Sequence, residues 1–160
     1  MDSFIMPRLE IAEHKYDFLH ALMQDIQNLA LIERDLSHFY IEVIMLDSKQ
    51  MQDINRVHRG IDKSTDVLSF PLALDSITDL DSINEPLCLG SVVINVQLAT
   101  QMAQQLHHSV QDEISLLFIH GFLHILGYDH EQDEGEQRAL EQRIIESLHL
   151  KQSLIVRAQG

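Results

Sequence analysis

Residues 87–96 (LCLGSVVINV) are apolar almost without interruption, the pattern of a strand buried on both faces rather than one with a wet side. A sheet built around such a strand needs cover above and below, and the flanking segments read as its partners. Apolar residues recur at helical spacing over 13–30, at Phe18, Leu19, Leu22, Met23, Ile26 and Leu29. Asp47 and Ser48 can cap a helix running to about Arg59, with Met51, Ile54, Val57 and His58 on one side. Further helices are predicted over 97–108, from Ser109 to about Leu126, and over 131–149. Ser109 with Asp112 resembles a capping box, and Gly127 supplies the left-handed residue that stops the helix before it. The last helix points Leu140, Ile144, Ile145 and Leu148 inward, and its acids Glu131, Asp133, Glu134 and Glu136 fall in its first turns, where the helix dipole favours them. Strands are predicted at 3–11, where Pro7 demands an edge or a bulge, at 38–46 (HFYIEVIML) and at 66–70, ended by Pro71. Residues 72–86 carry turn formers and read as a surface loop. The expected fold is α+β: one domain over 1–160, a mixed sheet of about four strands and about five helices.

The chain holds 25 acids against 11 bases, a net charge of −14, which argues against nonspecific adhesion to nucleic acid or anionic membrane. No apolar run approaches the ~20 residues of a spanning helix, and the first thirty residues lack a basic segment followed by an apolar one. A single cysteine, Cys88, excludes an internal disulfide and a cysteine-rich zinc knot. A cytoplasmic location with no membrane partner is therefore expected. The acid is not uniform. Residues 49–63 hold Lys49, Arg56, Arg59 and Lys63 against Asp53 and Asp62, so any handling of phosphate is expected there.

The most informative cluster is His120, His124 and His130, within HGFLHILGYDH. Residues i and i+4 share a helix face, so two imidazoles there can converge on one ion. A third ligand further along the helix would point elsewhere; Gly127 ends the helix, and Tyr128-Asp129 turns the chain so that His130 approaches from the side. Three neutral nitrogen ligands and no fourth side chain match a catalytic zinc site on a central helix and its following loop, with water at the open position. Ten histidines in 160 residues give an H-x-x-x-H pair by chance about half the time, so the competing reading makes His120 and His124 core histidines with satisfied rings. The helix-stop-ligand order favours the metal. Imidazole suits nickel, copper and iron as well as zinc. Asp129 is a candidate to orient a ligand imidazole, or else a turn residue bonding its own backbone. The position after His120, where H-E-x-x-H peptidases carry their general base, is Gly121, which points away from amide hydrolysis.

These residues also carry a family resemblance. HGFLHILGYDH (120–130) resembles the signature H-G-x-L-H-L-x-G-Y-D-H of the YbeY family of bacterial endoribonucleases, the rRNA maturation factors. Asn55, Arg59 and TDVLSFP (65–71) are similar to that family's N…R…TDVLSFP stretch, and LGSVVI (89–94) to its LGDIVI strand. Ser91 stands where the family has aspartate, and Asn95 where it has serine. The resemblance implies a zinc-dependent, single-strand-specific endoribonuclease acting in 16S rRNA 3′-end maturation and ribosome quality control. It further implies one zinc ion held by His120, His124 and His130, with Arg59 as the functional arginine beside it. Asp66 and Ser69 lie in a matched block and either touch substrate or brace the strand; Lys63 assists or is simply solvated. The scant basic surface suggests that the ribosome or a protein partner presents the RNA. The rival readings are a noncatalytic, zinc-containing ribosome-assembly factor and a different metal hydrolase.

Overall fold

The computed structural model describes residues 5–72, 85–129 and 132–150. Four strands form one sheet: β1 (Arg8–Ile11), β2 (Phe39–Leu46), β3 (Val67–Pro71) and β4 (Leu87–Asn95), in the spatial order β1-β2-β4-β3. β1, β2 and β4 run parallel, whereas β3 pairs antiparallel with β4, with Leu68 opposite Val93 and Phe70 opposite Ser91. The helices are α1 (Phe18–Asn28), α2 (Ser48–Arg59), α3 (Val96–Leu106), α4 (Val110–Ile125) and α5 (Glu136–Ser147). The described residues are thus α+β, with a mixed four-stranded sheet and five α-helices, as the sequence predicts. Pro7 immediately precedes β1, and β1 is an edge strand, the place where a missing N–H costs least.

Helix α4 is the pivot of the molecule. Ile114, Leu116, Leu117, Phe118, Ile119, Phe122 and Leu123 are all buried on it, around its whole circumference. At about 1.5–3 kcal/mol per buried side chain, this is on the order of 10–20 kcal/mol of gross transfer free energy, before chain entropy. Any group mounted on α4 is therefore firmly placed. Its N-terminus is capped by Ser109, whose hydroxyl accepts from the Asp112 amide at 3.0 Å. Its C-terminus is closed by Gly127 at φ +100°, with the Tyr128 amide donating to the Leu123 carbonyl at 3.0 Å.

Gly121 sets how close α4 comes to the sheet. A Cβ there would lie 2.8 Å from Val92 Cγ1 and 3.0 Å from Ser69 Oγ, so helix and strands are closer than any side chain allows. Ser69 uses that proximity, donating to the Gly121 carbonyl at 2.9 Å.

On the opposite face of the sheet α2 sits over Leu68, Val93 and Phe70 through Met51 and Ile54. Asp47 and Gln50 form a reciprocal capping box at its start. Of the predicted face, Met51 is buried and Ile54 packs on the same cluster, and His58, though exposed, keeps its ring against Phe70; Val57 instead turns to solvent at 68% exposure, and Asn55 is the second buried residue of the helix. Cys88 is half-buried rather than buried, because α2 does not reach that end of β4.

Three predicted boundaries move. The first strand, expected over 3–11, begins only at Arg8, directly after Pro7, with residues 3 and 4 outside the described ones. The segment 13–30 splits into a short 3₁₀ turn (His14–Tyr16) and α1. Helix α5 begins at Glu136 instead of 131, since the Asp133 carboxylate accepts from the Gly135 and Gln137 amides at 2.8 and 3.0 Å and so caps the helix there. Of the acids assigned to its first turn, Glu136 alone lies in it. Glu131, and residues 73–84 of the predicted loop, fall outside the described residues.

Candidate metal centre and cleft

His120 and His124 stand one turn apart on α4, and their rings meet at a centroid separation of 4.7 Å and an interplanar angle of 76°. Their Nε2 atoms face each other at 3.1 Å. Behind them, Nδ1 of His120 lies 2.8 Å from Oε1 of Glu141 on α5, a fully buried carboxylate. With the Glu141 carboxylate as acceptor, Nδ1 of His120 is the donor and its Nε2 is the ring nitrogen facing His124. Two nitrogens bound at about 2.0–2.1 Å to one tetrahedral ion stand roughly 3.3 Å apart, close to the separation between these rings. The donor set therefore fits a divalent ion of the imidazole-binding kind. Among the described residues no third His, Cys, Asp or Glu completes a metal-holding group, and His130 lies outside them.

The histidines open onto a cleft of about 590 Å³ that also takes in Arg59, Thr65, Asp66, Ser69, Pro71, Tyr128 and Asp129. One wall is α4 with the turn after it; the other is the outer edge of β3 and the end of α2. Arg59, the last residue of α2, is followed by Gly60 at φ +70°, which turns the chain back toward β3. Asp66 accepts from the Val67 amide at 2.8 Å. Ser69 both lines the cleft and braces β3 to α4. Asp129 lines the cleft too, and its backbone carbonyl accepts from the Gln132 and Asp133 amides at 3.1 and 2.9 Å. Lys63 is exposed and does not line the cleft.

The segment joining α2 to β3 is held by two amide side chains. Asn55 Nδ2 donates to the Lys63 carbonyl at 2.8 Å. Asn95, wholly buried at the end of β4, places Nδ2 within 3.0–3.1 Å of Ser48 Oγ, Ser64 Oγ and the Thr65 carbonyl, while its Oδ1 accepts from the Leu98 amide at 3.0 Å.

A family model described as Endoribonuclease YbeY matches residues 8–150. The chain belongs to that family. It is 56% identical over 158 residues to Endoribonuclease YbeY of Helicobacter hepaticus, covering 96% of this chain and 97% of the relative. It is 54% identical over 120 residues to the Campylobacter jejuni 81-176 protein of the same name, covering 75% and 84%. The solution structure of TM1509 from Thermotoga maritima shares the fold, with a TM-score of 0.59 and 23% identity over 89% of each chain.

In this YbeY-family member Ser91, in place of the usual aspartate, lies opposite Glu42 of β2 and donates to its carboxylate at 3.4 Å. Ser91 stands on the sheet face turned away from the cleft, since its neighbour Val92 faces Gly121. Glu141 escaped the sequence reading, although a signal for it exists. It falls on the inward stripe of α5 with Gln137, Ile144 and Ile145, and a carboxylate on an apolar stripe needs a cationic or hydrogen-donating partner inside the protein. Asn95 was visible as a change from the family's serine but not as the knot between α2, α3 and β3. Gly121 leaves no space for a side chain after His120, so the glutamate of an H-E-x-x-H peptidase has no room there.

Proposed function

We infer that this chain is a metal-dependent endoribonuclease that cuts single-stranded RNA, with His120, His124 and His130 holding one zinc ion. The observation that carries this reading is the facing Nε2 pair at 3.1 Å with a buried carboxylate fixing the proton on the far side of His120. Such a carboxylate–histidine arrangement orients a ligand ring and raises its basicity. When bound, the ion supplies Lewis acidity, toward a phosphoryl oxygen and toward attacking water. The protein does the rest. Arg59 presents a planar fork of donors to a phosphate entering the cleft, offsetting charge that builds on its oxygens. Glu141 keeps His120 in one tautomer, and Ser69 keeps β3 at a fixed distance from α4, so the two walls face each other across a constant gap.

The finer reading, maturation of the 16S rRNA 3′ end in the cytoplasm with the substrate presented by the ribosome or a protein partner, rests on family membership and on the charge of −14, which disfavours capture of free RNA. In the described residues no helix is long and apolar enough to cross a membrane.

The test is cleavage of a single-stranded RNA oligomer by the full chain, before and after a chelator, with zinc added back and a duplex as control. Cleavage is expected to fall to background with chelator, return with zinc and spare the duplex. Activity indifferent to chelator, in protein whose elemental analysis finds no transition metal, overturns the reading.

A further inference from the structure

On the α2 side of the edge strand β3, next in sequence to residues of the cleft, lies an aromatic pair with no part in the chemistry above. Along β3 the side chains alternate: Val67 and Ser69 turn toward α4, while Leu68 and Phe70 turn toward α2. Phe70 is half-buried on the small cluster beneath α2, and the exposed His58 ring sits against it at a centroid distance of 5.4 Å and an angle of 62°. Each ring adjoins a cleft residue in sequence, His58 next to Arg59 and Phe70 next to Pro71. The surrounding charge is equally specific. Lys49 and Arg56 are committed to Asp53 at 3.5 Å each, and Arg56 also reaches Asp62 at 4.0 Å. Arg59, next to His58 in sequence, and Lys63, in the segment after α2, make no ion pair among the described residues of a chain whose net charge is −14.

We propose that His58 and Phe70 form a stacking platform for one unpaired nucleobase of the RNA, on the α2 side of β3 next in sequence to Arg59. The proposal rests on the RNA-cleavage reading and adds to it a site for the base, where Arg59 and Lys63 serve the backbone. A cation for phosphate next to a ring face for a base is the pairing that single-strand binders use, and stacking tolerates any base because each has a π-face. In a duplex that base is stacked inside the helix and cannot reach the platform, which gives the chain a physical reason to prefer single strands.

The test is binding of a fluorescein-labelled single-stranded RNA octamer to the zinc-supplemented full chain at 4 °C, followed by anisotropy, with the oligomer checked intact on a gel afterwards. A single abasic nucleotide is moved along the octamer, and each version is titrated with the wild type, His58→Ala and His58→Phe. One abasic position is expected to weaken wild-type binding about 5- to 100-fold. His58→Ala is expected to weaken the intact octamer and to erase the effect of that abasic position, whereas His58→Phe retains both. A merely structural His58 would not make the loss depend on where the base is missing. If the intact octamer binds but no position is sensitive, or the sensitive position persists in His58→Ala, the platform is wrong and the RNA reading stands. If the intact octamer does not bind at all, the platform is equally wrong, and the cleavage reading stands or falls on its own chelator test.

Discussion

Gly121→Ala sets two opposed effects of known size against each other. In a helix interior alanine is favoured over glycine by about 1 kcal/mol, so propensity alone predicts a more stable protein. The new methyl, however, would lie 2.8 Å from Val92 Cγ1, 3.0 Å from Ser69 Oγ and 3.3 Å from Val67 Cγ2. Ser69 can rotate, at the cost of its bond to the Gly121 carbonyl, but Val92 is fully buried in a strand paired on both sides and has nowhere to retreat. Overpacking of this kind costs roughly 1–3 kcal/mol. With the lost Ser69 bond costing about 1 kcal/mol more, the net expectation is a loss of about 1–3 kcal/mol, or a Tm lower by about 2–12 °C at this chain length. Thermal unfolding followed by circular dichroism reads it directly. A double-mutant cycle with Val92→Ala locates the cause: with the Val92 methyls gone, Gly121→Ala is expected to be neutral or mildly stabilising, a coupling of about 1–2 kcal/mol. A Tm that stays put or rises in Gly121→Ala alone would refute the close-approach argument, and with it the steric reason for the missing glutamate.

Two further outcomes are expected at the site. Glu141→Gln, which keeps the shape but removes the charge behind His120, is expected to weaken zinc affinity about 10- to 100-fold in a chelator competition; an affinity within twofold of wild type removes Glu141 from the site. Arg59→Lys keeps a positive charge but not the planar fork, so zinc content is expected to hold while the cleavage rate drops, and equal turnover would show that Arg59 does not engage the phosphate as a fork.

The elements that periodicity and caps dictate were legible in the sequence. The apolar run of β4, the Asp47 and Ser109 caps and the Gly127 stop all lie where local chemistry puts them. The convergence of His120 and His124 was legible for the same reason, as a consequence of helix pitch. What local chemistry does not encode is how elements meet. One position on the face of α2 was misassigned, because the inward stripe runs through Met51, Ile54, Asn55 and His58, which leaves Val57 in solvent although an apolar residue there reads as part of the buried side. The start of α5 was misplaced because Asp133, one acid among several, is the one that takes the free amides. Glu141 was missed because its partner lies 21 residues away, on another helix.

The cleft's two walls hang from different supports. The histidine wall is steadied through Glu141 to α5, whereas the segment beyond Arg59 is tied by Asn55 and Asn95 to α2 and β4. On the proposed reading the ion is held from the histidine bank, while Arg59 and the ring pair belong to the other, so a chelated protein is expected still to offer its arginine and its ring pair to an incoming strand. Grip on the polynucleotide and capacity to cut it become separable properties, set by different parts of the scaffold and open to separate tuning.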